Sequence, residues 1–315
     1  MSQPDYTLFY KKRFLLSDPV LRSSSWDFFI SCFDRSERVR ELYDGVHARE
    51  KLWLISPRYN IKANELPTEN KFISIGADEA ELVNEFFKSY QRPWEQSSVC
   101  IDITGFLKPE LLYMIRNLSR LGVSKVHVLY SEPSRYALDH LTRFTNSVPL
   151  YTRAVFGFEG AHVQATDTDT LVIGVGYDDD LLSRIAKHKT RTKKVPIFCL
   201  PSLQADMYQQ SRLRASMVKQ DVEDSGLSYF APANDPFVTA QVLQDTIDRL
   251  NKSKPITNLY LSPLGTKAQA LGFALYYLYE KQNTATSIIY PFTEEYTPGT
   301  SRGISKVWLY TVELP

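Results

Sequence analysis

Residues 259–267 are Leu259-Tyr260-Leu261-Ser262-Pro263-Leu264-Gly265-Thr266-Lys267, and an apolar segment of helical length follows them as far as about Glu280. A run of strand length therefore ends in a Pro/Gly turn, and a helix begins at Thr266-Lys267. A strand followed directly by a helix is the repeating unit of an open parallel sheet. This stretch predicts an α/β fold, provided that the unit recurs along the chain.

The unit does recur. Continuous apolar runs of strand length alternate with helical segments along the chain. The runs lie at residues 27–33, 52–55, 72–75, 99–103, 126–130, 171–175, 197–200, 230–232 and 259–261, and the chain ends with two more at 287–290 and 307–312. Continuous rather than alternating runs are typical of strands that are covered on both faces, as in a parallel sheet. We therefore predict an α/β protein of two Rossmann-like halves with mainly parallel, doubly wound sheets.

The boundary between the halves is predicted near residue 150. The stretch from about Arg135 to Thr170 lacks long helical periodicity and carries Pro149 and Gly157. Residues of this kind punctuate regular structure and favour loops. The prediction is an N-terminal Rossmann-like half at 1–150 and a C-terminal Rossmann-like half at 151–315.

Composition narrows the class of protein. The 315-residue chain is 43% hydrophobic and 23% charged, which is enough apolar content for folded domains and argues against extensive disorder. Its net charge of +1 gives no strong signal for binding nucleic acid or an anionic membrane. A protein whose main role is to coat nucleic acid or an anionic membrane is therefore not expected.

The compartment is predicted from the cysteines and the apolar segments. Cys32, Cys100 and Cys199 form an odd set without CxxC or Cys/His spacing, so neither a disulfide framework nor a zinc site is expected. The N-terminus lacks the basic and apolar regions of a signal peptide. No apolar run approaches the roughly 20 residues that span a bilayer. We expect a cytoplasmic protein that has no membrane partner.

The turn after Leu261 is the strongest candidate for a binding site. In open parallel sheets, ligands bind where strand ends lead into helix N-termini. Gly265 permits close approach of a ligand, and the helix start favours an anion beside the Ser262 and Thr266 hydroxyls and the Lys267 ammonium. The turn is not a P-loop, which requires GxxxxGK[ST]. In the alternative interpretation, Thr266 only caps the helix and Lys267 lies on the surface.

A similar turn lies in the first half. Asp102-Ile103-Thr104-Gly105-Phe106-Leu107-Lys108 also leaves a strand through glycine and places a lysine near a helix start. Two such turns suggest a ligand shared across a pseudo-symmetric cleft, with Thr104 and Gly105 at the binding site. Tyr177, near another strand end, could stack on a base.

The segment from Ser262 to Lys267, with the apolar helix from Ala268 to Leu278, resembles the GTK-containing turn of CARF domains, the Rossmann-like sensors of cyclic oligonucleotides in prokaryotic antiviral defence. The segment 102–105 is similar to the strand end of the same turn but lacks the Thr-Lys pair. The resemblance implies that Gly265, Thr266 and Lys267 contact a phosphate or a ribose edge. It further implies a homodimer, because such domains usually build the site across a two-fold axis. No nuclease or helix-turn-helix module is recognised, so the effector is expected to be a separate protein or to lie within the two halves.

Two classes of function follow. The leading hypothesis is a sensor or binding protein for a nucleotide-type ligand in prokaryotic antiviral defence. The alternative is a hydrolase or transferase that acts on a nucleotide or a nucleotide-derived small molecule, with Asp34, Asp102 and Glu132 as acid/base groups or ligands of a divalent ion. Each carboxylate could instead cap a helix or hold a turn. GxSxG, GxGxxG and HExxH motifs are absent, and the sequence identifies neither a cofactor nor a metal site.

Overall fold

A computed structural model describes residues 4–19, 21, 25–136, 150–204, 207–217, 228–297 and 301–315. The chain forms an α/β protein with two mostly parallel sheets, as predicted. Two compact units are present. The N-terminal unit comprises Leu8–Asn146 and Glu295–Pro315, and the C-terminal unit comprises Met1–Thr7 and Ser147–Glu294.

The N-terminal unit is built on five parallel strands. They are β2 (Trp26–Cys32), β3 (Ala48–Ile55), β4 (Lys71–Ile73), β5 (Val99–Asp102) and β6 (Lys125–Tyr136). Two antiparallel strands extend the sheet beyond β6, in the order β13 (Ser301–Glu313) and β1 (Lys11–Phe14). The full strand order is β1-β13-β6-β5-β2-β3-β4.

Within the described part of this unit, three helices cover the sheet: α1 (Glu37–Gly45), α2 (Glu79–Ser89) and α3 (Lys108–Arg120). The helices α2 and α3 pack against each other, whereas α1 packs on β2, β5, β6 and β13. Right-handed crossovers between parallel strands place α1 on the face opposite α2 and α3, because the strand order reverses at β2.

The C-terminal unit repeats this plan. Its parallel strands are β8 (Thr170–Gly174), β9 (Lys193–Cys199), β10 (Tyr229–Ala231), β11 (Leu259–Pro263) and β12 (Thr286–Phe292). The antiparallel strand β7 (Tyr151–Ala154) pairs with β12, and the order is β10-β9-β8-β11-β12-β7. The helices are α4 (Asp179–His188), α5 (Met207–Met217), α6 (Pro236–Ser253) and α7 (Lys267–Tyr276), which continues as a π-helical turn (Tyr277–Lys281).

Both units have the same strand order. When the parallel strands of each unit are counted along the chain, their order across the sheet is third, second, first, fourth, fifth, with an antiparallel strand beside the fifth. This is the Rossmann order, and its switch point lies between the first and fourth strands. The switch points are therefore β2/β5 in the N-terminal unit and β8/β11 in the C-terminal unit.

The end of the chain corrects the predicted division at residue 150. The units change over at Asn146/Ser147, close to that boundary, but residues 295–315 belong with the N-terminal unit. The strand β13 pairs with β6 over almost its whole length, and its Tyr310 side chain is fully buried. A pairing between strands so distant in sequence leaves no local pattern, which is why the prediction missed it.

The helix predicted from Thr266-Lys267 to about Glu280 is present as α7 and its π-helical turn, which together span residues 267–281. Among the described residues, no helix is both long and apolar enough to cross a membrane.

Candidate functional site

The switch point of the C-terminal unit brings two turns into direct contact. Gly174 of β8 lies opposite Pro263 of β11, so the turns that follow these strands start side by side. A Cβ on Gly176 would lie 2.0 Å from the carbonyl oxygen of Leu264. Only glycine fits there, and the two turns form one continuous backbone surface at the ligand edge of the sheet.

The turn from Ser262 to Lys267 occupies this edge. Thr266 is the N-cap of α7, and its hydroxyl accepts the N–H of Gln269 at 3.1 Å and donates to the carbonyl of Ala233. The capping role of Thr266 is therefore present. Lys267, the first residue of α7, is half-buried.

Ser262 differs from the other members of the turn because its hydroxyl is unused. The side chain is fully buried, and its Oγ has no hydrogen-bond partner among the described residues. An unpaired buried hydroxyl costs about 1–3 kcal/mol, so Ser262 has a polar group that a bound molecule could satisfy.

Gln269 is the residue that fixes the shape of the turn. It is fully buried, its Oε1 accepts the thiol of Cys199 at 3.1 Å, and its Nε2 donates to the carbonyl of Ala231 at 3.2 Å. A Cβ on Gly265 would lie 2.0 Å from that Oε1. A side chain at this position would displace the Gln269 amide from its hydrogen bonds to Cys199 and Ala231.

The neighbouring turn after β8 carries Tyr177 and three aspartates. The Tyr177 ring is buried. Asp178 caps α4 by accepting the N–H of Leu181 at 3.2 Å. Oxygens of Asp178, Asp179 and Asp180 lie within 4.8 Å of one another, an arrangement that a divalent cation can use but that is also common at helix starts.

The N-terminal unit has the equivalent turn at the equivalent place. Ser31 of β2 lies opposite Asp102 of β5, and a Cβ on Gly105 would lie 1.7 Å from the carbonyl oxygen of Cys32. Lys108 is the first residue of α3, as Lys267 is the first residue of α7. The two turns singled out in the sequence therefore both follow the fourth strand of a Rossmann sheet.

The side chains of the N-terminal turn are committed to the fold. The Asp102 carboxylate accepts the Ser31 hydroxyl and the Thr104 N–H, both at 2.9 Å. The Thr104 hydroxyl accepts the Ser131 N–H at 3.0 Å, and Thr104 is almost fully buried. Both side chains hold the ends of β2, β5 and β6 together, so their polar groups are already used.

Glu110 is the counterpart of Gln269, since both are the third residue of the helix after the fourth strand. Its Oε1 accepts the Ser56 hydroxyl at 2.5 Å and its Oε2 accepts the Leu107 N–H at 3.3 Å. Burial raises the pKa of the Glu110 carboxyl to about 7, aided by the nearby Glu79 carboxylate and opposed by the two hydrogen bonds and Arg58. The C-terminal turn has a neutral amide at this position, which suits an anion better.

The other two carboxylates proposed for catalysis are also engaged. Asp34 accepts the Ser36 N–H at 2.9 Å, as a turn aspartate does. Glu132 accepts the indole N–H of Trp308 at 2.6 Å and lies 3.8 Å from the Lys306 ammonium. Asp34, Asp102 and Glu132 thus each have a structural role in the N-terminal unit.

A serine–histidine–asparagine chain lies at the opposite, amino end of the C-terminal sheet. His162 Nε2 is 2.6 Å from the Ser287 hydroxyl, and His162 Nδ1 is 3.2 Å from Oδ1 of the Asn258 side chain. This order resembles a nucleophile with its base and orienting group. However, the Gly160 N–H donates to Ser287, and the N–H groups of residues 161, 162 and 288 all bind backbone carbonyls, so none of these can stabilise an oxyanion. These serine, histidine and asparagine side chains anchor the segment 160–169 to the sheet.

Two determinants of the site were missed by sequence reasoning, namely Gln269 and Glu110. Each lies four or five residues after the turn glycine, on the buried face of the following helix. A glutamate or glutamine at the third helical position after a strand–glycine turn is the capping-box position, and this sequence signal could have identified both.

Comparison with known proteins leaves the family of the chain open. A scan against protein-family models finds no match, and no curated protein matches the sequence. The resemblance of the turn at 262–267 to CARF domains therefore stays a prediction.

Proposed function

We propose that the chain binds a nucleotide-type ligand at the C-terminal switch point, with a phosphate group at the start of α7. The observation that carries the proposal is the buried, unpartnered Ser262 hydroxyl in a glycine turn at the switch point of a Rossmann sheet. Gly265, Lys267 and Tyr177 are the other ligand-binding residues in this proposal. Thr266, whose hydroxyl already caps α7, would contribute through its backbone N–H.

The physical reason lies in the start of α7 itself. The first N–H groups of a helix have no partners within the helix, and the positive end of the helix dipole favours an anion. Lys267 contributes a full positive charge in the first turn, and Gln269 beneath it is neutral. A phosphate finds donors and a cation at this place.

The proposed role is that of a sensor. If the resemblance to CARF domains reflects common function, the ligand is a cyclic oligonucleotide, the role lies in prokaryotic antiviral defence, and a separate effector protein responds to the bound state. A homodimer belongs to the same proposal, since such domains usually bind across a two-fold axis.

A thermal-shift screen tests the proposal. Wild type, Lys267→Ala and the control Lys252→Ala, an exposed lysine of α6, are compared with mono-, di- and cyclic oligonucleotides, in Mg²⁺ and in EDTA. Ligand at 100 times its Kd should stabilise the wild type and the control by about 2.7 kcal/mol. Lys267→Ala should show a much smaller shift. The absence of any shift, or an equal shift in Lys267→Ala, would overturn the proposal.

The enzyme alternative is tested on the same samples. Asp34, Asp102 and Glu132 are each engaged within the fold, so we expect no turnover of any nucleotide that binds. Product formation by wild type that is lost in Asp102→Asn, while the variant still binds, would favour the enzyme instead.

A further inference from the structure

The turn after β2 and the first turn of α1 contain three buried polar side-chain atoms of note. They are the hydroxyl Oγ of Ser36 and the guanidinium Nε atoms of Arg35 and Arg38, and none has a hydrogen-bond partner among the described residues. Ser36 and Arg38 are more than nine-tenths buried. Buried donors of this kind are rare in folded proteins and call for an explanation such as a bound group.

These atoms belong to residues that lie just before α1 or in its first turn. Ser36 is the N-cap of this nine-residue helix, but its side chain makes no capping bond. Arg38, two residues further on, extends to the carbonyl of Ser131, which follows the part of β6 that pairs with β5. Its guanidinium therefore lies at the carboxyl edge of the parallel strands, where the first strand of the unit leads into its helix.

The backbone before the helix is held in an uncommon conformation. Arg35 has φ of 65°, a left-handed value that a residue with a side chain seldom adopts, and its Nη2 binds the Glu65 carboxylate at 2.6 Å. The Glu65 carboxylate pairs with Arg35, and the Asp34 carboxylate stays charged while it accepts the Ser36 N–H. Arg38 has no carboxylate partner among the described residues, so its guanidinium is the cation available to a ligand.

We propose that Ser36 and Arg38 form a second anion site, in the N-terminal unit, that takes a phosphate group at the start of α1. A phosphate oxygen would accept from the Ser36 hydroxyl and the Arg38 Nε, while Arg38 keeps its bond to Ser131. This site does not depend on the turn at 262–267. It also changes which residues bind in the N-terminal unit, because Thr104 and Asp102 are already used there.

The site is tested with inorganic pyrophosphate titrated into Lys267→Ala, which disables the C-terminal site. Adding Arg38→Gln should weaken the remaining binding by about tenfold or more, the loss of one charge-assisted hydrogen bond. The matched control is Arg40→Gln, an exposed arginine of the same helix, which should bind as the parent does. Equal binding by the Arg38 and Arg40 variants, or no binding by the parent, would overturn the proposal.

Ser36→Ala keeps the test decisive if the Arg38 variant folds poorly. The Ser36 hydroxyl has no hydrogen-bond partner in the part of the chain that the structure describes, so the alanine variant should unfold at the same temperature as its parent or slightly higher. Its affinity for pyrophosphate should still fall severalfold. A Ser36→Ala variant with unchanged affinity would contradict the proposal. The C-terminal site is judged by Lys267→Ala with nucleotides, so either site can fail without the other.

Discussion

At the scale of single residues, glycine marks the switch point of each unit. Gly105 follows the fourth strand of the N-terminal unit and approaches the end of the first strand, whereas Gly176 follows the first strand of the C-terminal unit and approaches the turn after the fourth. The close approach is made from opposite sides in the two units. In both units, a side chain at the glycine would force apart the turns at the carboxyl ends of the first and fourth strands.

Gly105→Ala should therefore be strongly destabilising. Its Cβ would lie 1.7 Å from a backbone oxygen that cannot rotate away, and we expect a loss of about 3 kcal/mol or more in the free energy of unfolding. Chemical denaturation measures this loss. The control is Gly45→Ala at the end of α1, where the new Cβ meets only Leu16 at 3.5 Å, so stability should hold or rise by up to about 1 kcal/mol. Equal effects at the two glycines would refute the close approach.

Glu110 should make stability depend on pH. The folded-state pKa of about 7 lies above the ordinary value of 4.5, so the folded protein holds this proton more tightly between those pH values. The contribution of Glu110 to the free energy of unfolding should fall by about 3 kcal/mol as the pH rises from 4.5 to 8. Glu110→Gln removes this titration. Urea unfolding of both proteins at pH 5 and pH 8 should show the variant gaining on the wild type at the higher pH, and a constant difference would contradict the prediction.

At the scale of elements, the local pattern predicted most of what the structure contains. The alternation of apolar runs and helical segments identified the parallel strands and the helices, because burial on both faces determines the composition of such strands. It could not identify the pairing of β13 with β6, nor the contact of Gln269 with Cys199, since both join residues far apart in the chain. The place of the turns after Asp102 and Leu261 was predictable. It was not predictable which of their polar groups form hydrogen bonds within the fold.

The assignment of β13 to the N-terminal unit predicts where a core mutation acts. Tyr310→Ala removes a fully buried ring and should cost about 3–5 kcal/mol. Hydrogen exchange should then quicken in β5, β6 and α1, and leave β8 and β11 protected. Arg302→Ala, at an exposed position of the same strand, should change stability by less than about 0.5 kcal/mol. Faster exchange confined to β8 and β11 in Tyr310→Ala would show that β13 is misplaced.

At the scale of the whole molecule, the chain contains one fold plan used twice. The larger segment of the C-terminal unit, residues 147–294, is inserted in the sequence between β6 and β13 of the N-terminal unit. Both units share the Rossmann strand order. They differ at the ligand edge. The C-terminal turn has neutral Gln269 and an unused Ser262 hydroxyl, whereas the N-terminal turn has Glu110 and polar side chains that bind one another. This difference is why we propose the principal nucleotide site in the C-terminal unit.

Hydrogen–deuterium exchange with and without the best nucleotide of the screen tests that assignment most directly, because it follows the amide groups that are proposed to bind. The nucleotide should slow exchange at residues 263–269, around the start of α7, and Lys267→Ala should abolish this protection at the same nucleotide concentration. Peptides at the amino ends of the C-terminal strands should be unaffected. Protection that appears elsewhere while 263–269 exchange as in the free protein would contradict the central claim.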